Sequence, residues 1–413
     1  MEVVYPACAG LDLGKRFLVA CALFPDERGQ RQKEIKTFDT DTEDLRRLGE
    51  WLQERGVTAV AMESTGPYWK PVFNLLEERF ECILVNPQHI KALPGRKTDV
   101  KDSEWIADLL RHGLLPRSFV PDREQRELRE LVRLRQKKMQ LLAAEANRLQ
   151  KVLEGANIKL GSVASNVLGV SGREMLRALA EGEKTPDEMA ALARGRLREK
   201  IPQLRRALDG VMADHQRQMI LWALDDIEHI ERRVQELDKE IAERTRPHEA
   251  VTERLMTVPG IGRRVAEVIL AEVGPDAKAF DTPEQLASWA GLCPGNKSSA
   301  GKRLSGRIRP GNQSLKSSLV QAAHAVSHSK NTYLGAQFRR FVRTKGVKRA
   351  AVAVAHTILV IVWHLLTTGD VYNDLGVNYL ERADSSWAER QAVRRLERLG
   401  YTVSLTPKAG PAA

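Results

Sequence analysis

From Gln285 to Gly369 the chain contains no Asp and no Glu. The same stretch carries Lys297, Lys302, Arg303, Arg307, Arg309, Lys316, Lys330, Arg339, Arg340, Arg343, Lys345, Lys348 and Arg349. Ordinary solvated faces mix the two signs, so an acid-free run this long argues against one and points to contact with nucleic acid. The whole chain leans the same way, with 65 Lys and Arg against 54 Asp and Glu and a net charge of +11. Cysteine is scarce: Cys8, Cys21, Cys82 and Cys293 are scattered with no CxxC pair. That spacing suits neither a disulfide framework nor a thiolate zinc site, and it reads as buried thiols in a reducing, cytoplasmic setting. No signal peptide is visible, because the N-terminus reads directly into a strand. The one long apolar run, Ala350 to Leu366, is barely a membrane span and contains His356 and His364. It reads as a core helix, which gives no membrane partner.

A chain of 413 residues is long for one domain and suggests about two or three. The boundaries read as 1–120, 121–250, 251–380 and a terminal segment 381–413. The first part alternates: three candidate strands (VVYPACAGLDL, RFLVACALF, KEIKTFD), then helix, strand, helix, strand and helix. DTEDLRRLGEWLQERG has an Asp or Thr cap and a closing glycine, and SEWIADLLRHG ends at Gly113. Three strands followed by α-β-α-β-α is the order of an α/β RNase H-like, RuvC-like fold.

The middle changes period. Leu128, Val132, Met139, Leu142, Ala146, Leu149 and Leu153 recur at alternating steps of three and four, with Arg135 interrupting. A second stripe runs Ile220, Leu224, Ile227, Val234, Leu237 and Ile241. Both predict long amphipathic helices forming an antiparallel hairpin or a coiled coil. Weaker helical segments lie between them, around 171–181 and 186–208. The region reads equally as an internal bundle or as a dimerisation arm. The third part is mainly helical and opens with TVPGIGRRVAEVILAEVG, the pattern of a helix-hairpin-helix turn. Gly260 and Gly262 there let the backbone approach a phosphate beside Arg263. A helix capped by Thr282 and Pro283 and closed by Gly291 follows, then a Ser-, Gly- and Lys/Arg-rich loop leading to a helix near Leu315. WAERQAVRRLERLGYTVSL reads as helix then strand, and the tail KAGPAA as disordered.

Four carboxylates carry the chemistry. Asp12 (GLDLGK) and Glu63 (AMESTGPYW) each sit at the end of a predicted strand. Asp99 and Asp102 lie three residues apart at the start of a predicted helix, so they share a face. Converging acids are costly unless cations neutralise them, and an all-oxygen donor set suits Mg²⁺ or Mn²⁺ and argues against zinc. Any single Asp reads more simply as a surface carboxylate; the conjunction reads as a metal site acting on phosphodiesters. Lys97 and Lys101 are placed to hold a nucleic-acid backbone beside it, and Asp108 faces elsewhere. The second candidate is Ser298 or Ser299, among Lys297, Lys302 and Arg303. Spacing alone favours serines that merely contact phosphate over a serine nucleophile.

Together these residues resemble one family, the DEDD insertion-sequence transposases of the IS110 group, described as bridge-RNA-guided recombinases. The likeness spans nearly the whole chain: Asp12, Glu63 in ESTGPYW, Asp99 and Asp102 in DVKDSEWIADL, then PGIGRRVAEVILAEVG, FDTPEQLASWAGLCP, SSAGKR and IRPGNQSLKSS. The resemblance implies a DNA transposase or recombinase with an N-terminal RuvC-like metal domain and a C-terminal serine domain. It implies that Ser299, with Ser298 as fallback, attacks DNA and forms a phosphoserine link, assisted by metal at Asp12, Glu63, Asp99 and Asp102. This chain has Ser-Ala-Gly where many members have Ser-Gly-Gly. The resemblance also implies a homo-oligomer, dimer or tetramer, joined through the coiled coil, and a guide RNA that pairs with DNA while the protein reads shape and backbone. Nucleic-acid contacts are expected at Lys97, Lys101, Gly260, Gly262, Arg263, Lys297, Lys302, Arg303, Arg307 and Arg309. A RuvC-type junction-resolving nuclease using metal-activated water is the rival enzyme. A binding protein with structural acids is the rival that does no chemistry.

Overall fold

The computed structural model describes residues 2–64, 66–87, 102–295, 297–299, 302–305, 308–379, 393–394 and 396–405, with backbone alone for 297–299 and 302–305. The chain divides into two compact units, Met1–Arg126 and Glu127–Ala413.

The first unit is built on a mixed five-stranded sheet of order β3-β2-β1-β4-β5. Its strands are β1 (Cys8–Leu13), β2 (Phe17–Pro25), β3 (Arg31–Asp39), β4 (Ala59–Glu63) and β5 (Glu81–Val85). β1, β2 and β3 form an antiparallel meander, while β4 and β5 run parallel to β1. This topology is compatible with an RNase H-like domain. β1 starts later than the sequence pattern suggests, at Cys8, just after Pro6; proline gives no ladder N–H.

Strand alternation sorts the side chains onto two faces. Ala9, Leu11, Leu18, Ala20, Val60 and Met62 pack against α1 (Thr42–Glu54) and α2 (Trp69–Leu76) through Leu45, Leu48, Leu52, Val72 and Leu76. Cys8, Cys21, Leu23, Ala59, Ala61 and Val85 pack against α3 (Asp102–Arg111) through Ile106, Ala107, Leu109 and Leu110. The result is three layers, helices covering both faces. Asp41 caps α1 by accepting from the Asp44 N–H at 2.9 Å. Gly113 turns the chain out of α3 at φ +65°.

The four cysteines are free, and burial pushes the Cys8 thiol up to about 12 and Cys21 to about 11. Such thiols are unreactive near neutral pH.

The second unit is almost entirely helical. Two long helices, α4 (Arg123–Gly155) and α9 (Asp214–Thr245), run antiparallel. Arg244 near the end of α9 bonds Glu127 near the start of α4, and Leu149, Val152 and Leu153 share a core with Ile220, Leu224 and Ile227. Between them come α5 (Leu160–Val163), α6 (Val170–Glu181), α7 (Pro186–Ala191) and α8 (Ile201–Leu208). These pack on the tip of the hairpin around Leu160, Met175, Leu176, Met189 and Leu204. The segment expected as one helix over 186–208 is broken: Gly195 takes φ +55°, a 3-10 turn spans Gly195–Lys200, and Pro202 opens α8. The α9 stripe is buried throughout. The α4 stripe is buried only towards its ends, and Met139 in its middle is 36% exposed.

Beyond the hairpin follow α10 (Glu249–Met256), α11 (Arg263–Val273), α12 (Pro283–Trp289), the ribbon β6 (Lys297–Ser299) and β7 (Lys302–Ser305), α13 (Gln313–Ser327), α14 (Tyr333–Lys345) and α15 (Val347–Thr368). Among the described residues α15 is the one helix long and apolar enough to span a membrane. Ala350, Val354, Ile358, Leu359 and Val362 are buried in the fold, as expected of a core helix. The strand expected near the C-terminus is not formed in residues 401–405, which have no partner strand among the described residues. The tail KAGPAA lies outside the described residues.

Candidate active site

Parallel pairing sets Leu11 of β1 opposite Met62 of β4. Both face the α1 and α2 layer. The next residues, Asp12 and Glu63, therefore sit side by side at the carboxyl ends of neighbouring strands and turn to the other face. α3 covers that face, and its first residue is Asp102. Asp12 and Asp102 are thus brought near one another, and strand register puts Glu63 at the same end of the sheet. Asp99 lies outside the described residues, as do Lys97 and Lys101.

The electrostatics fit this convergence. The Asp12 carboxyl is pushed above its ordinary 3.8, first by burial and then by the negative charge of Asp102. Like charges held together in the fold favour a cation between them. The donors are all carboxylate oxygens, which fit a hard divalent ion. Asp108, the spare acid of α3, instead pairs with Arg31 of β3 at 3.0 Å, away from the corner.

What lets α3 come so close is Gly10, which the sequence reading missed. A Cβ there would lie 2.3 Å from the Ser103 carbonyl oxygen and 2.4 Å from the Ala107 nitrogen. Both are helix backbone, which cannot swing aside. A glycine inside a strand pattern is the available signal for such an approach. Gly10→Ala should cost roughly 1–3 kcal/mol through overpacking and push Asp102 away from Asp12. A lowered melting temperature together with lost DNA cleavage checks this; wild-type activity would refute it.

A second acidic group, Asp39, Asp41 and Asp44, has ligand atoms within 4.8 Å of one another. Its bonds are local. Asp41 caps α1, while Asp44 accepts from the Asp39 N–H and pairs with Arg47. Those bonds hold the Asp44 carboxyl below its usual range. Capping accounts for the cluster.

In the second unit the expected nucleic-acid residues are placed unevenly. Gly260 takes φ +89°, and a Cβ there would meet the Ala322 carbonyl of α13 at 2.5 Å, so its bareness serves helix packing. Gly262 is exposed with open space around its Cα, and it caps α11. Arg263 is held by Glu249 at 2.7 and 2.8 Å and by Glu267 at 3.2 Å, so carboxylates already occupy its fork. α10 ends at Met256 and α11 begins at Arg263. Arg309 is exposed. Ser298, Ser299 and Lys297 fall on β6, and Lys302 and Arg303 on β7; their side chains, and all of Arg307, lie outside the described residues.

The base of this ribbon is firmly set. Pro294 and Ile308 form an antiparallel bridge. Gly291, at φ +72°, and Gly311 pack backbone to backbone, so that a Cβ on Gly311 would sit 2.4 Å from the Gly291 nitrogen. Asn312 caps α13 by accepting from the Leu315 N–H, and its amide donates to the buried Glu272 at 2.6 Å.

Residues 9–158 match the family described as "Transposase", of the DEDD type, and residues 252–339 match "Transposase IS116/IS110/IS902 family". The chain is 30% identical over 306 residues to "Insertion element IS110 uncharacterized 43.6 kDa protein" of Streptomyces coelicolor, covering 68% of this chain and 73% of that one. It is 25% identical over 370 residues to "Probable family 20 transposase" of Pseudomonas aeruginosa, covering 88% and 97%. It is also 25% identical over 325 residues to "Transposase for insertion sequence element IS1111A" of Coxiella burnetii, covering 76% and 79%. An RNase H-compatible sheet with converging acids and a separate helical unit fit those matches, and the chain belongs to the IS110 family of insertion-sequence DEDD transposases, enzymes that act on DNA.

Proposed function

We propose that this transposase cuts and rejoins DNA at the ends of its insertion sequence through a serine nucleophile, Ser299, working with the acidic corner of the first unit. The observation that carries the reading is the corner itself, where Asp102 raises the Asp12 carboxyl beside Glu63. Asp12, Glu63, Asp99 and Asp102 would hold Mg²⁺ or Mn²⁺, and the ion supplies charge neutralisation for phosphoryl transfer when bound. In the attack, an Oγ–P bond forms on the serine and the bond from phosphorus to a deoxyribose oxygen breaks. The serine proton leaves to a base, and the departing oxygen takes one up. Lys297, Lys302 and Arg303 flank the serine in sequence and balance charge on the phosphate. Rejoining reverses the exchange on a second strand.

The two halves act together in a dimer or tetramer, each phosphodiester seeing the acids of one subunit and the serine of another. Choice of sequence lies in a structured RNA from the element, with the protein contacting backbone.

The test is a covalent-adduct assay. The protein is incubated with Mg²⁺, element-end DNA and RNA transcribed from the element's flanks, then denatured. DNA-linked protein that disappears in Ser299→Ala, with Ser298→Ala unaffected, is the expected result. Cleaved DNA with no linked protein would move the chemistry to activated water. Normal recombination by both serine variants would remove the serine assignment altogether.

A further inference from the structure

A cavity of about 1070 Å³ opens beside the ribbon's base, walled by Leu292, Ile308 and Phe341 and by one face of α15. Arg349, Val352, Ala353 and His356 on that face follow the i, i+3, i+4, i+7 stripe of a helix. Ala350, Val354 and Ile358 turn the other way, into the core. α14 ends at Lys345, Gly346 turns the chain at φ +75°, and α15 begins at Val347. That junction sets Lys345, Lys348 and Arg349 around the same cavity.

These three cations are exposed, and none makes an ion pair among the described residues. No acid lines the cavity among the described residues, since its whole wall falls in the acid-free stretch. Lys345 lies over the Phe341 ring with its ammonium 4.6 Å from the centroid, while Lys348 and Arg349 face the slot without a carboxylate partner among the described residues, and a ligand with an anionic end and a flat apolar end complements both features. His356 adds no fourth charge near neutral pH, because burial lowers its pKa below the usual value. The space exceeds what a drug-sized ligand needs, so it admits a base with its sugar and phosphate. Bases inside a duplex are stacked and cannot enter a side slot, so the occupant is unpaired.

We propose that this groove holds one unpaired nucleotide of the DNA strand being processed, with its phosphate against Lys345, Lys348 and Arg349 and its base against Leu292, Phe341 and Val352. Its assignment to DNA rests on the serine reading above, because Leu292 and Ile308 flank the ribbon that carries Ser298 and Ser299. The groove would keep a strand splayed from its partner where it meets the ribbon.

The experiment uses the full-length protein and a short fluorescein-labelled single-stranded DNA, with and without one abasic position, over a salt series. Val352→Trp fills the slot and should weaken binding roughly tenfold with the salt slope unchanged. Removing the base should weaken wild type by a similar factor and leave the Trp variant indifferent. The exposed pair Lys348→Ala/Arg349→Ala should instead flatten the salt slope by roughly 0.7 per lost phosphate contact. A bromodeoxyuridine-substituted strand should crosslink to the peptide containing Phe341 to His356 in wild type. Wild-type affinity and slope in both variants would overturn the groove. Losses confined to a ribo-oligonucleotide of the same sequence would overturn the DNA assignment in favour of RNA. Loss of the Ser299 adduct assignment, with groove binding intact, would count against the nucleophile and not the groove.

Discussion

Asp102→Asn is expected to reduce DNA cleavage by at least roughly a hundredfold to a thousandfold while leaving the fold intact. Asp102 is the first residue of α3 and the charge that acts on Asp12. Asparagine keeps the shape but removes a negative charge from the corner. Two small effects on stability oppose each other. The helix N-terminus loses a favourable acid, about 0.3–1 kcal/mol, and the repulsion on Asp12 is relieved. The sign of the second follows from linkage. The folded-state pKa of Asp12 is raised above 3.8, so its ionised form costs stability. That cost is absent below 3.8 and grows as pH rises through the window between this value and the raised one. In Asp102→Asn the Asp12 carboxyl should titrate closer to its ordinary value, which carbon NMR of labelled aspartate would read. Mg²⁺ should raise the melting temperature of wild type and not of the variant. Cleavage at the wild-type rate, or an unchanged Asp12 titration, would remove Asp102 from the site.

Arg135→Met should destabilise the second unit by up to roughly 3–5 kcal/mol, the cost of breaking a buried ion pair. Arg135 is 3% exposed, and its guanidinium bonds Glu267, itself 4% exposed, at 2.5 Å and Asp238 at 2.9 Å. Methionine fills the volume but leaves Glu267 with Arg263 alone, at 3.2 Å. Asp238 keeps Arg264 at 2.6 Å, and Arg263 keeps Glu249. At roughly 2–4 °C per kcal/mol the melting temperature should fall by up to about ten degrees. The double variant Arg135→Met/Glu267→Leu replaces the pair with apolar volume and should recover most of the loss. A double variant no better than the single one would show that the ion pair is not the source of the effect. The pair ties α4 to α11, the helix that Gly262 opens. Its loss should therefore also loosen the base on which the ribbon stands, through Arg129, Arg133 and Glu272 on the same two helices.

Much of this molecule was legible in its residues because the governing interactions are local. Alternation along 8–39 and 59–85 marks the strands, and Asp41, Thr282, Gly113 and Gly291 mark helix ends through bonds that span only a few residues. The six apolar positions of α9 are buried as their spacing requires. Strand period also fixes which face Asp12 and Glu63 take once β1 and β4 pair. What the sequence could not express are partners brought together from far along the chain. Arg135 looked like a flaw in an apolar stripe, yet its carboxylate stands 132 positions away on α11. Arg263 read as a cation free for phosphate, and the fold spends it on Glu249 and Glu267. Gly10 read as part of a strand, and only the arrival of α3 makes its missing Cβ a condition for Asp102 reaching Asp12. The same holds for the cations of 345–349: composition determines that they lack acids, but only the packing of α14 and α15 against Leu292 and Ile308 sets them around a slot. Local pattern is read along the chain, whereas charge pairing, close approach and concavity depend on which surfaces meet.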